Sequence, residues 1–253
     1  MWRTLFCFIC CTLMLTTEAK TAKESKSHAA ARIHSELAAH YQTAGQVAVA
    51  IDELNLALKS RSDYVPAHTL LGIIYEQLRQ DERANTHFLA ALSNAGNQKI
   101  NDTDIRNHYA RFLCRANRGD EALAQFTLIF NDPVYPNMGQ ALTNAGICAA
   151  RLGRDELALA YLNAALERDS VNAEARIYRG HVFVRSARFD AARADLRIVQ
   201  AQNSHPAAVL WLGIRLNHIQ RQRNTDSLRA ELITQFPTSL EATWAREQQY
   251  QTF

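Results

Sequence analysis

Residues 67–92, AHTLLGIIYEQLRQDERANTHFLAAL, set Leu71, Gly72 and Tyr75, then Ala84, then Phe88, Ala91 and Leu92 at fixed spacings. Thirty-four residues earlier, Leu37, Ala38, Tyr41, Ala50, Leu54, Ala57 and Leu58 stand in the same places. Such a period constrains the fold strongly, because each copy is a small unit that buries its apolar face against its neighbours. Within a copy the apolar residues recur at three and four positions, as one face of a helix requires. The small residue at Ala50 returns at Ala84, Ala122, Ala158 and Ala192, spaced by 34, 38, 36 and 34.

The frame extends along the chain as copies at 31–64, 65–98, 103–136, 139–172 and 173–206, then a degraded copy at 206–238. Gly45 marks a turn between two helices, A and B, and Pro66 opens the second copy where its missing N–H costs nothing. Gly72 and Ala84 are small where the helices of one copy cross. Residues 94–102 break the period and read as an insertion, and Pro133 and Pro136 stop the third copy. In the last copy Thr225 replaces the packing alanine and Arg229 the packing apolar residue; after Pro237, Ser239 caps a final helix from Leu240 to about Gln251, within a cap at 239–253. This pattern resembles the tetratricopeptide repeat (TPR), a helix–turn–helix unit. The resemblance implies an all-α fold: a right-handed TPR superhelix of about six repeats with a C-terminal capping helix.

Ahead of the array, Met1-Trp2-Arg3 and the apolar run Leu5–Leu15 read as the start of an export signal, too short to span a bilayer. Thr17-Glu18-Ala19 offers a cleavage site, giving a signal segment at 1–19 and a polar tether at 20–30. Cys7, Cys10 and Cys11 lie in the apolar run, where a lipoprotein carries its lipid. The Phe8-Ile9-Cys10 stretch before Cys11 departs from the lipoprotein pattern, so lipidation at Cys10 or Cys11 and release as a soluble protein both stay open. A net charge of +3, much of the excess N-terminal, argues against nucleic-acid binding.

Chemistry is sparse. Asp81-Glu82, Asp120-Glu121 and Asp155-Glu156 fall at the start of helix B in three copies, where carboxylates cap free N–H groups and favour the helix dipole. Nine histidines, with His34 and His68 one period apart, supply no metal-ligand spacing. No phosphate-binding glycine loop or nucleophile elbow is present. The expectation is no enzyme, no cofactor and no metal. Cys114 and Cys148, on adjacent A helices, are either a disulfide stapling two repeats or two buried thiols.

In TPR arrays the A helices line a groove. The resemblance carries that role to Thr69, Ile73 and Gln77; Asn107, Arg111 and Arg115; Thr143, Ile147 and Arg151; and Ile177, His181 and Arg185. Arg115, Arg151 and Arg185 form a stripe beside isoleucines expected to be exposed, which suits an extended segment carrying carboxylates and apolar side chains, unless the arginines pair within the array. The whole architecture, with Asn107–Cys114 (NHYARFLC) and the Gln235-Phe236-Pro237 phrase through Ala242, resembles the type IV pilus biogenesis/stability family known as PilW or PilF, the pilus pilotins. That resemblance implies a lipoprotein on the periplasmic face of the outer membrane that assists the secretin multimer, and so pilus stability and adhesion; a monomer is expected, with the oligomeric state left open by the sequence. A periplasmic adaptor for peptidoglycan enzymes is the alternative.

Overall fold

The computed structural model describes residues 25–202 and 207–252, which form thirteen helices and no strand. The signal segment 1–19, the candidate lipidation sites Cys10 and Cys11, and Pro206 lie outside the described residues. The chain divides at Ala67 into two compact units.

In the first unit, α1 (Lys26–Thr43) pairs with α2 (Val47–Ser60). The polar stretch expected to be a tether through residue 30 is already helical from Lys26: Ser25 Oγ accepts the His28 N–H at 3.2 Å, and the alanines that follow are good helix formers. His28 sets its ring edge-on to Tyr64 at 5.4 Å. Ala38, Ala50, Leu54 and Ala57 are fully buried between the two helices, whereas Leu37 remains 41% exposed.

The second unit holds most of α3 (Val65–Gln77) and then α4 (Asp81–Gln98), α5 (Thr103–Arg115), α6 (Gly119–Phe130), α7 (Met138–Arg151), α8 (Asp155–Arg168), α9 (Ala173–Arg185), α10 (Phe189–Ala201), α11 (Ala207–Ile219), α12 (Thr225–Gln235) and α13 (Leu240–Arg246). Successive helices pair as hairpins, and each B helix packs on the A helix of the next hairpin. The A helices α5, α7, α9 and α11 thus lie side by side. The close crossings have the expected cause. A Cβ on Gly72 would fall 2.9 Å from the Phe88 ring, and one on Gly146 would fall 2.6 Å from Leu162 Cγ.

The irregular stretches resolve differently from expectation. The insertion at 94–102 is not mainly a loop: α4 continues to Gln98, so the extra residues are absorbed as about one added helical turn. The Pro133–Pro136 connection is pinned by Tyr135, which is 6% exposed and donates its hydroxyl to Asp104 at 2.7 Å. Burial and that bond push the phenol up to about 12. In the sixth hairpin the turn at 220–224 is longer than its counterpart at 186–188, so the packing residues of α12 slip to Leu228 and Leu232. The final helix is shorter than expected, ending at Arg246, with Ser239 Oγ accepting the Ala242 N–H at 3.0 Å as its cap.

Each A helix also ends in the same way. Gly45, Arg79, Asn117, Gly153, Ala187 and Arg221 all have positive φ, between 53° and 75°. The next residue donates back across six residues, as in Gln80 N to Tyr75 O at 2.9 Å and Arg188 N to Phe183 O at 2.8 Å. This is a Schellman closure at every A–B turn.

Candidate partner-binding groove

Arg115, Arg151 and Arg185 are the last residues of α5, α7 and α9, where a cation meets the negative end of the helix dipole. The carboxylates they face are the paired acids. The acids stand in the first turns of α4, α6 and α8, where they favour the helix dipole as expected, while the N-cap residues Gln80, Arg118 and Arg154 make no side-chain cap bond. To the expected role at the helix start the structure adds another: the first aspartate of each pair binds an arginine of the following repeat. Asp81 accepts from Arg115 at 3.1 Å, Asp120 from Arg154, and Asp155 from Arg185. Glu76, only 7% exposed, also holds Arg111 at 3.4 Å and Arg115 at 3.3 Å.

This ladder decides which arginine is left without a carboxylate partner among the described residues. Because Arg154 takes Asp120, Arg151 makes no carboxylate ion pair among the described residues. It stands beside the Tyr178 hydroxyl, whose pKa is raised chiefly by burial and held back by the Arg151 charge. Arg151 and Tyr178 line both a cavity of about 500 Å³ and a smaller one of about 120 Å³ beside it. The bonded pair Cys114–Cys148, with Cα atoms 5.7 Å apart, lies at the larger cavity's margin, and Leu240, Glu241 and Trp244 of α13 close its far side.

Of the groove residues expected from sequence, Arg115, Arg151, Ile177 and His181 meet at the larger cavity, and Arg111 and Ile147 at the smaller. The isoleucines are not exposed as expected: Ile147 and Ile177 are buried at 8% and 5%, because neighbouring A helices pack against them. Thr143 is fully buried and bonds the Gly139 carbonyl at 3.0 Å, so it offers nothing to a ligand. Asn107 is engaged by Tyr135 and Asn144. Thr69 and Ile73, on α3, line neither cavity. Tyr178 and Trp244 escaped sequence reasoning, the first through helix phase and the second because only the fold brings α13 over the A helices. Among the described residues no cluster of His, Cys, Asp and Glu could hold a metal ion.

A family profile described as tetratricopeptide repeat matches residues 110–173, spanning α5 to α9 and the core of this groove. That stretch is similar to the tetratricopeptide repeat, in keeping with the all-α hairpin fold. Among solved structures, the chain is similar to PilW, described as a widely conserved type IV pilus biogenesis factor: 28% identity, 84% of this chain and 96% of that one, TM-score 0.74. Pseudomonas aeruginosa PilF shares the fold at 20% identity, over 88% of this chain and all of that one, TM-score 0.72. An uncharacterized Haemophilus influenzae protein is 28% identical over 130 residues, 51% of this chain and 70% of that one.

Proposed function

We infer that the chain is a non-enzymatic scaffold of type IV pilus biogenesis that works at the periplasmic face of the outer membrane and assists the secretin multimer through protein contacts. The observation that carries this reading is the likeness to PilW along nearly the whole of both chains. The arrangement of the groove suits the role. Arg151 supplies a guanidinium for an acidic side chain, with Tyr178 and Trp244 as apolar walls for its neighbour. Arg115 and Arg185 hold adjacent repeats together and do not serve as free ligand-binding cations.

Deletion of the gene is expected to remove secretin multimers from outer-membrane extracts and pili from the cell surface; a cell-shape or lysis defect with normal pili overturns the reading in favour of an adaptor for peptidoglycan enzymes. At the level of residues, Arg151→Glu is expected to leave the circular-dichroism spectrum unchanged and abolish capture of the secretin from envelope extracts. Undiminished capture moves the contact to another surface.

A further inference from the structure

Trp211 and Arg215 stand on α11 where Ile177 and His181 stand on α9, one period earlier. They are groove positions, yet Trp211 is fully buried and Arg215 is 1% exposed. Trp244 of α13 packs on Trp211 at 6.0 Å, and the chain after α13 covers the rest. Trp211 Nε1 donates to the Thr252 carbonyl at 2.9 Å, and Arg215 Nε donates to the Tyr250 carbonyl at 2.7 Å. Arg215 also donates to His181 Nδ1 at 2.7 Å; burial and the neighbouring guanidiniums hold that imidazole neutral, so this nitrogen can accept. The Tyr250 ring stacks on His218 at 3.7 Å and on Trp211 at 5.9 Å, and its hydroxyl accepts from Arg229 at 3.0 Å.

The segment is led there by a reversal. Gln248 has φ 56°, and Gln249 N bonds Trp244 O at 2.9 Å, which turns the chain from α13 back onto α11. Tyr250 is buried, whereas residues 247, 248, 249 and 251 are exposed. Tyr250 joins Trp211, Leu232 and Ala245 in one apolar cluster, and around that single anchor the side-chain donors on main-chain carbonyls and the exposed neighbours hold the segment as a groove holds a bound peptide.

We propose that the groove face of the sixth repeat is a binding site for a short turn-forming segment with a tyrosine anchor, and that the chain fills it with its own residues 248–252. The tail is a built-in ligand. It closes the sixth-repeat end of the groove and leaves the cavity around Arg151 as the open part. Because Trp211 also lines that cavity, the face uncovered by release of the tail is continuous with it. A partner segment with the same chemistry, an aromatic residue flanked by accessible carbonyls, competes with the tail for Trp211 and Arg215.

The test needs only this chain and its tail, so it is independent of which pilus component the groove engages. A chain ending at Glu247 is titrated with a fluorescent synthetic peptide of residues 247–253, beside the full chain. The truncated chain is expected to bind saturably, and to bind a peptide carrying Tyr250→Ala at least about tenfold more weakly; the full chain is expected to bind neither. Three results overturn the proposal: a folded truncated chain that does not bind, a truncated chain that loses its helices and does not regain them with peptide, or a full chain that binds equally well. In the intact protein, hydrogen exchange at 249–252 is expected to be faster than in α11. Equal rates would make the tail an inseparable part of the core and overturn the proposal as well.

Discussion

The six left-handed residues at the A–B turns give a backbone experiment with two signs. Gly153 has φ 73° and no atom within 4 Å of where a Cβ would stand, so Gly153→Ala changes the backbone energy without a steric clash. Ala187 occupies the same turn position one repeat later with φ 56°, on the surface. A left-handed conformation costs an L-residue about 1–2 kcal/mol. Glycine gives back part of that gain, because its unfolded chain is freer by about 0.4–1 kcal/mol. Ala187→Gly is therefore expected to stabilise the protein by about 1 kcal/mol and Gly153→Ala to destabilise it by about the same. For a chain of this size each shift is about 2–4 °C in midpoint. Thermal unfolding followed by far-ultraviolet circular dichroism, checked against urea unfolding, measures both. If Gly153→Ala raises the midpoint, or if both variants move it in the same direction, the turn is not governed by left-handed strain and the reasoning fails.

Other expectations follow from the packing, the staple and the titrating groups. Gly146→Ala puts a Cβ 2.6 Å from Leu162 Cγ and 3.3 Å from the Ala158 carbonyl, so overpacking of about 1–3 kcal/mol outweighs the roughly 1 kcal/mol gain in helix propensity; a rise in urea midpoint refutes it. Reduction of Cys114–Cys148, which closes a span of 34 residues, is expected to cost up to about 4 kcal/mol and to add two hydrogens to the mass; an unchanged mass shows that the thiols are free. His87 is held down to about 4 by burial, with His68 and Arg83 adding to the effect. Between the ordinary histidine value and about 4 the unfolded chain carries the extra proton, so this group destabilises the fold as pH drops through that window. His87→Gln is expected to flatten the slope of stability against pH there, and an unchanged slope assigns it to other groups.

The origin of these groups shows what was legible in sequence. His68 and His87, whose Nδ1 atoms lie 3.0 Å apart, belong to a recurring pair on facing helices A and B. The same places hold His34 with Glu53, Arg106 with Gln125 and Arg176 with Asp195, each nineteen residues apart. The period exposes the first member of two of these four pairs, His34 and His68. It hides the partnership, because the chemistry changes from copy to copy while the geometry stays fixed. The acids opening α4, α6 and α8 were legible only in part for a similar reason: their place in the first turn follows from local sequence, but the arginine that binds each comes from the next repeat.

By itself the sequence determined the repeat. The 34-residue period, the alanines from Ala50 to Ala192, all fully buried, and the glycines at the helix crossings are local statements about how one hairpin closes, repeated until they are unmistakable. Tertiary structure alone decided what the groove offers. It paired Arg115 and Arg185 within the array and left Arg151 facing a cavity. It buried Ile147 and Ile177, and it folded Tyr250 back over Trp211 and Arg215. Each of these depends on residues thirty or more positions apart meeting across stacked helices, a distance over which a repeating pattern specifies packing but not partners.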